Sequence, residues 1–273
     1  MSPVERHLQK RMTQPDASIT AEEFIEKIEE DPSWAKSLKS PLVVKGYVEL
    51  NGSSITHLSP FLEFQGGRPQ KMREKEALSL IDCPKIQKIE GVFHGRLTII
   101  GGDIKLISPD VVVTRSGKDG IAFSLSETGG IVSGRYNGKA EITHSEITQI
   151  RNFEVLNSNE NGCGLSINEC HCLTTIQASI NGDVEILNCT ELESIEQLEI
   201  EKKFLNKGGK ETQFITLGNL PKLKRIPNWI FPKKSDSQIK IMMRQEFETE
   251  LKKRVELQKQ ALEKMRAGSD LEI

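Results

Sequence analysis

One pattern occurs twice within residues 164–195, and it constrains the fold more than any other feature of the chain. The two copies stand nineteen residues apart and place apolar residues and cysteine at matching positions: Leu165, Ile167, Cys170, Leu173, Ile176 and Val184, Ile186, Cys189, Leu192, Ile195. The alternation at the front of each copy indicates a strand that presents every second side chain to one face. Because so short a unit cannot bury its apolar face alone, neighbouring copies must stack. We therefore predict a β-rich solenoid of parallel strands.

Weaker copies of the pattern extend over most of the chain. Their strands are expected to begin at residues 48, 78, 97, 121, 140, 165, 184 and 215, which gives about eight coils. A glycine flanked by apolar residues precedes several of these strands, and positive φ is expected at Gly95, Gly138 and Gly182, with Gly46 as a further copy. Because two markers share one period, residues 42–231 are assigned to the repeat solenoid.

The repeated motif resembles the leucine-rich repeat, whose strand consensus is L-x-x-L-x-L-x-x-N/C-x-L. Cys83, Cys170 and Cys189 stand at its Asn/Cys position, and Ser53 and Ser145 stand there in other units. The leading leucine is absent, and the cysteine units carry one residue more before the next apolar position. The resemblance implies an irregular, bacterial-type leucine-rich repeat that binds partners on its sheet. A right-handed parallel β-helix, also a parallel β-solenoid, is the alternative.

An N-terminal capping helix is predicted over residues 19–32, because repeat proteins need polar elements at their ends. Thr20 and Glu23 have the spacing of a capping box, and the Asp31-Pro32 step should end the helix. The preceding residues, 1–18, are polar and are expected to form a disordered leader.

The sequence changes character after the repeats. Apolar residues recur every four positions from Ile239 to Val255, which favours an amphipathic C-terminal helix over residues 233–268 that caps the solenoid. Self-association of this helix through residues 236–267 would instead make the chain a homo-oligomeric scaffold.

Composition argues against several classes of protein. No stretch approaches 18 consecutive apolar residues, so no membrane span is expected. Lys and Arg (37) nearly balance Asp and Glu (39), and no basic stripe runs along the repeats, so no nucleic-acid partner is expected. Five cysteines without a secretory signal indicate free thiols in a cytoplasmic protein. If the chain is a bacterial effector, its polar leader would suit delivery into a host cell by a non-Sec system.

The cysteines are interpreted as structural, with no metal or cofactor. Cys163, Cys170 and Cys172 lack the second pair of ligands that a zinc site needs. Cys170 and Cys189 are expected to be buried in adjacent coils, because free cysteine packs as a small apolar side chain. Cys163 and Cys172 lie off this ladder, and their reactivity is left open.

No catalytic residue is predicted, and an enzyme is not expected. The chain contains neither G-x-S-x-G nor H-E-x-x-H. Glu49, Glu141 and Glu185 share one outward repeat position, but Glu141 and Glu185 would stand about 10 Å apart, two strands from each other. That separation is too long for a retaining glycosidase and at the upper limit for an inverting one. A carbohydrate-active parallel β-helix enzyme is kept as an alternative.

The outward strand positions favour a binding surface. One such column is read as Asn51, Ile81, Ile100, Ser124, Thr143, Asn168, Leu187 and Gly218. Its aliphatic members would form a mildly apolar ribbon on a sheet whose other face is the core. We therefore predict a protein–protein recognition module and assign partner contact to this set: Ile81, Ile100, Thr143, Asn168 and Leu187.

Overall fold

The computed structural model describes residues 17–67, 76–115, 120–200, 204–205, 211–227 and 239–243. Most of the predicted leader (1–18) and most of the predicted C-terminal helix (233–268) lie outside these ranges. Two helices occur among the described residues, α1 (Ala21–Glu30) and α2 (Trp34–Ser37). The remaining elements are strands.

The strands are, in chain order, β1 (Ala17–Thr20), β2 (Leu42–Lys45), β3 (Val48–Asn51), β4 (Leu62–Gly66), β5 (Glu76–Ile81), β6 (Lys88–Ile89), β7 (Val92–Phe93), β8 (Arg96–Ile100), β9 (Leu106–Ile107), β10 (Val112–Val113), β11 (Ile121–Ser126), β12 (Gly129–Asn137), β13 (Lys139–Thr143), β14 (Glu146–Asn157), β15 (Cys163–Asn168), β16 (Thr175–Ile180), β17 (Asp183–Leu187), β18 (Ser194–Ile200), β19 (Phe204–Leu205), β20 (Glu211–Gly218) and β21 (Ile239–Met243).

These strands form two sheets in which almost all pairings are parallel. The repeat sheet has the order β3-β5-β8-β11-β13-β15-β17-β20, and β20 also pairs with β21 and, antiparallel, with β19. The companion sheet has the order β1-β2-β4-β7-β10-β12-β14-β16-β18, and the short strands β6 and β9 join it. One apolar cluster contains buried side chains from both sheets. The fold is therefore a repeat-like, parallel β-rich structure, compatible with a solenoid.

Strand register in the repeat sheet confirms the repeat alignment in seven of the eight units. The first inward position of each strand pairs with the same position of its neighbours: Val48, Leu78, Leu97, Phe123, Ala140, Leu165, Val184 and Ile215. All eight are buried. The fourth unit was placed two residues early, because an irregularity between Ile121 and Phe123 shifts the register there.

A residue with left-handed backbone conformation follows every strand of the repeat sheet. These corner residues have φ between 48° and 70°: Gly52, Asp82, Gly101, Glu127, His144, Glu169, Asn188 and Asn219. Their amides extend the ladder past the end of the strands, as in the bonds from Asp82 N to Ile100 O (2.8 Å) and from Glu169 N to Leu187 O (3.1 Å). Because Gly, Asn, Asp and His tolerate this conformation best, the corner selects the residue types that occupy most of its positions.

The Asn/Cys position of the motif forms a polar ladder inside the core. Each thiol lies near the carbonyl oxygen two residues earlier, at 3.5 Å for Cys83, 3.6 Å for Cys170 and 3.3 Å for Cys189. Ser145 donates its hydroxyl to Thr143 O (2.8 Å) in the same way. Small donors recur at this position because the side chain is enclosed beside a carbonyl group where the chain turns.

The glycine turns agree with the sequence only in part. Gly46, Gly138 and Gly182 have positive φ (105°, 145° and 125°), as predicted, but Gly95 does not. At Gly182 a Cβ atom would also lie 2.6 Å from Gly162 O. The prediction of equivalent turns was therefore wrong for Gly95, whose segment reaches β8 without a left-handed residue.

We expect Gly182→Ala to lower the free energy of unfolding by about 1–3 kcal/mol, because alanine is strained at this φ and would collide with a backbone oxygen. Gly129→Ala is the matched control, because Gly129 lacks a positive φ and an added Cβ atom there would come no closer than 3.6 Å to a neighbour, so it should change stability by less than about 0.5 kcal/mol in urea unfolding. Equal losses at both positions would contradict this difference between the two glycines.

Helix α1 has the predicted start. Thr20 and Glu23 form the capping box, with Glu23 N donating to Thr20 Oγ1 (3.2 Å) and Thr20 N to Glu23 Oε2 (2.7 Å). Phe24 is buried and meets Phe64 edge-on, with 5.3 Å between the ring centroids, and Phe64 stacks on Phe93 at 5.2 Å. The helix is thus joined to the apolar cluster, whereas its capping role stays a prediction.

Two predictions about the termini are corrected. Ala17 and Ser18, assigned to the leader, belong to β1 and pair with Leu42 and Val43 in parallel. Residues 239–243, assigned to the C-terminal helix, form β21 beside β20. A sheet edge that offers free N–H and C=O groups can recruit a further strand, and this pairing overrides the four-residue apolar spacing.

Candidate functional site

The five predicted binding residues lie in one unbroken row across the repeat sheet. Register pairs neighbouring strands at this position in the order Asn51, Ile81, Ile100, Ser126, Thr143, Asn168, Leu187 and Gly218, and we call these residues the anchor row. Ser126 takes the place that the sequence assigned to Ser124, because of the two-residue shift in the fourth unit. The row joins Ile81 and Ile100 side by side and sets Leu187 four strands from Ile100.

Side-chain orientation in the row is as predicted, but its exposure is lower. The preceding residues Leu80, Ile99 and Ile186 are only 1%, 1% and 0% exposed, so the anchor row faces away from the core. The five assigned residues are nevertheless partly buried rather than fully exposed. Neighbours in the row cover one another. At its end, Leu187 Cδ2 would lie 2.9 Å from a Cβ atom added to Gly218.

A second outward row runs beside the anchor row and is polar throughout. It consists of Glu49, Ser79, Thr98, Ser124, Glu141, Ser166, Glu185 and Thr216, and we call it the hydroxyl row. Ser166 donates to Glu185 Oε2 (3.0 Å), and Lys139 forms an ion pair with Glu141. Thr98 Oγ1 is buried without a partner among the described residues. Ser79, beside Ile81 in the same strand, is itself buried, at 4% exposure.

Side chains at the corner continue the polar border on the other flank of the anchor row. Asn188 Nδ2 donates to Asn168 Oδ1 (3.0 Å), and Asn219 Nδ2 donates to Asn188 Oδ1 (3.1 Å). His144 Nε2 lies 3.0 Å from Glu169 Oε2. A chain of hydrogen bonds between asparagine side chains therefore holds Asn168 in the anchor row. The three aliphatic residues of the anchor row, Ile81, Ile100 and Leu187, thus have polar rows on both flanks, and apolar groups with a polar rim are the layout of a recognition surface.

The carboxylates Glu141 and Glu185 of the hydroxyl row are farther apart than the pair of a retaining glycosidase. Glu141 and Glu185 lie on β13 and β17, with β15 between them, so about 9.5 Å separates their backbones. Both are already engaged, with Lys139 and with Ser166 respectively. The described residues contain no cluster of three His, Cys, Asp or Glu side chains that could hold a metal ion.

The cysteines have the burial that the sequence predicted. Cys83, Cys170 and Cys189 are buried free thiols, Cys163 is partly exposed and Cys172 is exposed. The hydrogen bond with Cys189 and burial both raise the pKa of the Cys170 thiol, and burial keeps reagents away from both sulfur atoms. Burial raises the pKa of Cys163 to about 11. Cys172 is therefore the thiol that reagents reach first.

A polar relay on the companion sheet has no counterpart in the sequence predictions. His94 Nε2 lies 3.0 Å from Glu63 Oε1, and His94 Nδ1 lies 2.8 Å from Thr114 Oγ1. Hydroxyl, imidazole and carboxylate are thus in the order of a nucleophile, base and acid. The amides of His94 and Thr114 already donate to Phe64 O and Phe93 O, so neither can stabilise an oxyanion. The signal that could have found this relay is the shared register of β4, β7 and β10.

The companion sheet also carries a groove of about 770 Å³. Charged and amide side chains line it, among them Arg135, Glu154, Gln177, Gln197 and Glu199. Arg135 Nε donates to Glu154 Oε2 (2.5 Å), which leaves Asp110, Glu196 and Glu199 as the lining carboxylates without an ion pair among the described residues. Sequence periodicity gave no indication of this groove.

Fold and surface together define a class, that of repeat-like proteins with two parallel β-sheets. Comparison with protein-family models, with curated proteins and with solved structures gave no match to this chain. None of the helices in the described part of the chain is long and apolar enough to cross a membrane. The functional argument therefore depends on the surface itself.

Proposed function

We propose that this protein is a recognition module that binds a protein partner through the anchor row of the repeat sheet. The observation that carries the proposal is the register, because it pairs Ile81 with Ile100 on neighbouring strands, on a face that the core does not use. Aliphatic groups between polar rows are the arrangement in which a few central side chains dominate binding energy.

The backbone supports recognition by side chains rather than by strand addition. Within the repeat sheet each strand from β5 to β17 has a partner on both edges, so its amides and carbonyls are already used. A partner that docks on this face must therefore contact the side chains of the anchor row and the hydroxyl row. Eight strands at about 4.8 Å spacing give a surface about 34 Å long, enough for an interface of ordinary size.

The protein class that we propose is a parallel β-solenoid. A second strand in each coil, where a leucine-rich repeat usually has a helix or 3₁₀ turn, favours the β-helix alternative over the leucine-rich repeat that the motif resembles. Three alternatives remain hypotheses without support from any described contact. They are a bacterial effector delivered into a host cell, a carbohydrate-active enzyme and a homo-oligomeric scaffold.

Binding should fail when charge is placed in the anchor row. We expect Ile81→Lys combined with Ile100→Lys to weaken partner binding roughly 10- to 100-fold, because two central apolar anchors are lost. The melting temperature should change little, since a partly exposed lysine can cover the strand with its stem and keep its charge in water.

Gln177→Lys combined with Gln197→Lys is the matched control, because these exposed residues also pair across neighbouring strands but lie on the companion sheet. Partner binding is measured with the full chain immobilised and retained proteins compared between the two variants. Equal retention by both variants would refute the anchor row as the binding site. Loss confined to the control would move the site to the companion groove.

A further inference from the structure

A second, basic surface lies beside helix α2. Three segments that are distant in sequence meet there around a depression of about 510 Å³. Thr56 N donates to Pro32 O (3.3 Å), Gln87 N donates to Thr56 O (2.9 Å), and His57 bridges to Lys88 in parallel register. The backbone therefore fixes the walls of the depression, and the side chains of Lys36, Thr56, His57, Lys85 and Gln87 line it.

The charges around this depression are not neutralised by their surroundings. Lys36 and Lys85 are exposed, and neither forms an ion pair with another described residue. Lys88 has its own partner, Glu90, at 2.9 Å. Of the acidic residues near these lysines in sequence, Asp82 precedes Lys85 by three positions, and Asp31 accepts hydrogen bonds from Ser33 N (2.9 Å) and Ser33 Oγ (2.7 Å). Two free ammonium groups therefore share one concave site.

His57 reports the same positive potential. Its Nδ1 atom is enclosed and has no hydrogen-bond partner among the described residues. Burial lowers the pKa of His57 first, and the charges of Lys36 and Lys88 lower it further, whereas Glu90 acts in the opposite direction. Lys85 lines the same depression. The imidazole therefore lies in a partly enclosed site where nearby lysine charges oppose its protonation, and a bound anion would favour the protonated form.

We propose that this depression binds a phosphate-bearing ligand. Lys36 and Lys85 supply the charge, Thr56 and Gln87 supply hydrogen bonds, and His57 takes up a proton when the dianion enters. The shared chemistry is a phosphate monoester, whether it belongs to a free metabolite or to the headgroup of a lipid. This site is separate from the anchor row and does not depend on the proposed function.

The test is an NMR titration of the His57 side chain in the full chain, assigned with His57→Gln, with and without inorganic phosphate. We expect its pKa to lie below 6.5 without phosphate and to rise by about one pH unit at saturation. Lys36→Gln combined with Lys85→Gln should abolish the rise. Lys45→Gln combined with Lys222→Gln removes the same charge elsewhere and should preserve it.

Vesicles distinguish the source of the phosphate. Sedimentation is measured with phosphatidylcholine vesicles that contain or lack phosphatidic acid. Binding to the phosphatidic acid vesicles that disappears in Lys36→Gln/Lys85→Gln supports a headgroup ligand, and a phosphate effect without vesicle binding supports a free one. The proposal would be overturned if phosphate leaves the pKa of His57 unchanged and the vesicles are not bound. It would also be overturned if either effect persists in Lys36→Gln/Lys85→Gln.

Discussion

Replacing Cys189 with aspartate is expected to lower the free energy of unfolding by about 4 kcal/mol at pH 7. Cys189 is fully enclosed, stacked on Cys170 and directed at Leu187 O (3.3 Å). An aspartate in this position must take up a proton to avoid a buried charge. Protonation at pH 7 from an ordinary pKa near 3.9 costs about 1.4 kcal/mol for each of roughly three pH units.

The pH dependence of this loss has a definite sign. In the folded variant the pKa of the new carboxyl is raised above its unfolded value, so its penalty vanishes below about pH 3.9 and grows as the pH rises. Urea unfolding at pH 5 and pH 7 should therefore differ by about 2.7 kcal/mol in excess of the wild-type difference.

Two controls separate charge burial from loss of the thiol. Cys189→Ser should be far milder, because Ser145 already occupies the equivalent position and donates to Thr143 O. Cys172→Asp should be almost neutral, because Cys172 is exposed. A stable Cys189→Asp variant, or rapid labelling of Cys189 in the native protein, would show that the ladder is not internal.

Tyr136→Ala is the second substitution with a large expected effect, a loss of about 4 kcal/mol. Tyr136 is fully buried between Phe123 and Phe153, with ring centroids 4.6 Å and 4.8 Å away. Its hydroxyl donates a hydrogen bond to Ser133 O (2.6 Å), so the buried polar atom has a partner while the ring packs against the two phenylalanines. Alanine would leave a cavity between two rings that belong to different sheets.

Tyr136→Phe divides this loss into its parts. It keeps the ring contacts and removes one buried hydrogen bond, so we expect about 1–2 kcal/mol. The chain's other tyrosine provides the control, because Tyr47→Phe removes a bond to Glu49 near the surface and should change stability by less than about 0.5 kcal/mol. Thermal and urea unfolding measure all three variants, and a Tyr136→Ala loss near zero would contradict the described core.

The repeat sheet was predictable because each of its strands presents alternate residues to one core. Leu165 and Ile167 recur as Val184 and Ile186, and the register pairs them as expected. The prediction for the fourth unit failed because an irregularity near Ile121 interrupts the alternation, and the spacing of apolar residues alone does not show where it lies. Register follows alternation only where the ladder is regular.

The companion sheet could not be predicted in the same way. Register shifts interrupt the pairing of β12 with β14 at three places, so their apolar residues do not keep a period of two. The left-handed corners were also missed, although Asn188 and Asn219 stand at positions where that residue type is informative. Single polar residues become a signal only after the repeat has been aligned.

The position of the anchor row on the outward face of the sheet was predictable, but its details were not. Alternation placed Ile81, Ile100 and Leu187 outward because their neighbours are buried. Partial burial of the row and the amide chain through Asn168 depend on contacts between strands, which no single strand reveals. The basic depression beside α2 is likewise formed by three segments whose meeting the sequence does not show.

The most direct test of the central claim is photo-crosslinking from the anchor row. A benzoylphenylalanine at position 100 should form a covalent product with the bound partner, whereas the same group at exposed position 177, on the companion sheet, should not. Excess unmodified protein should suppress the product. Crosslinks from position 177 alone, or a bound partner that never reacts at position 100, would contradict recognition through the repeat sheet.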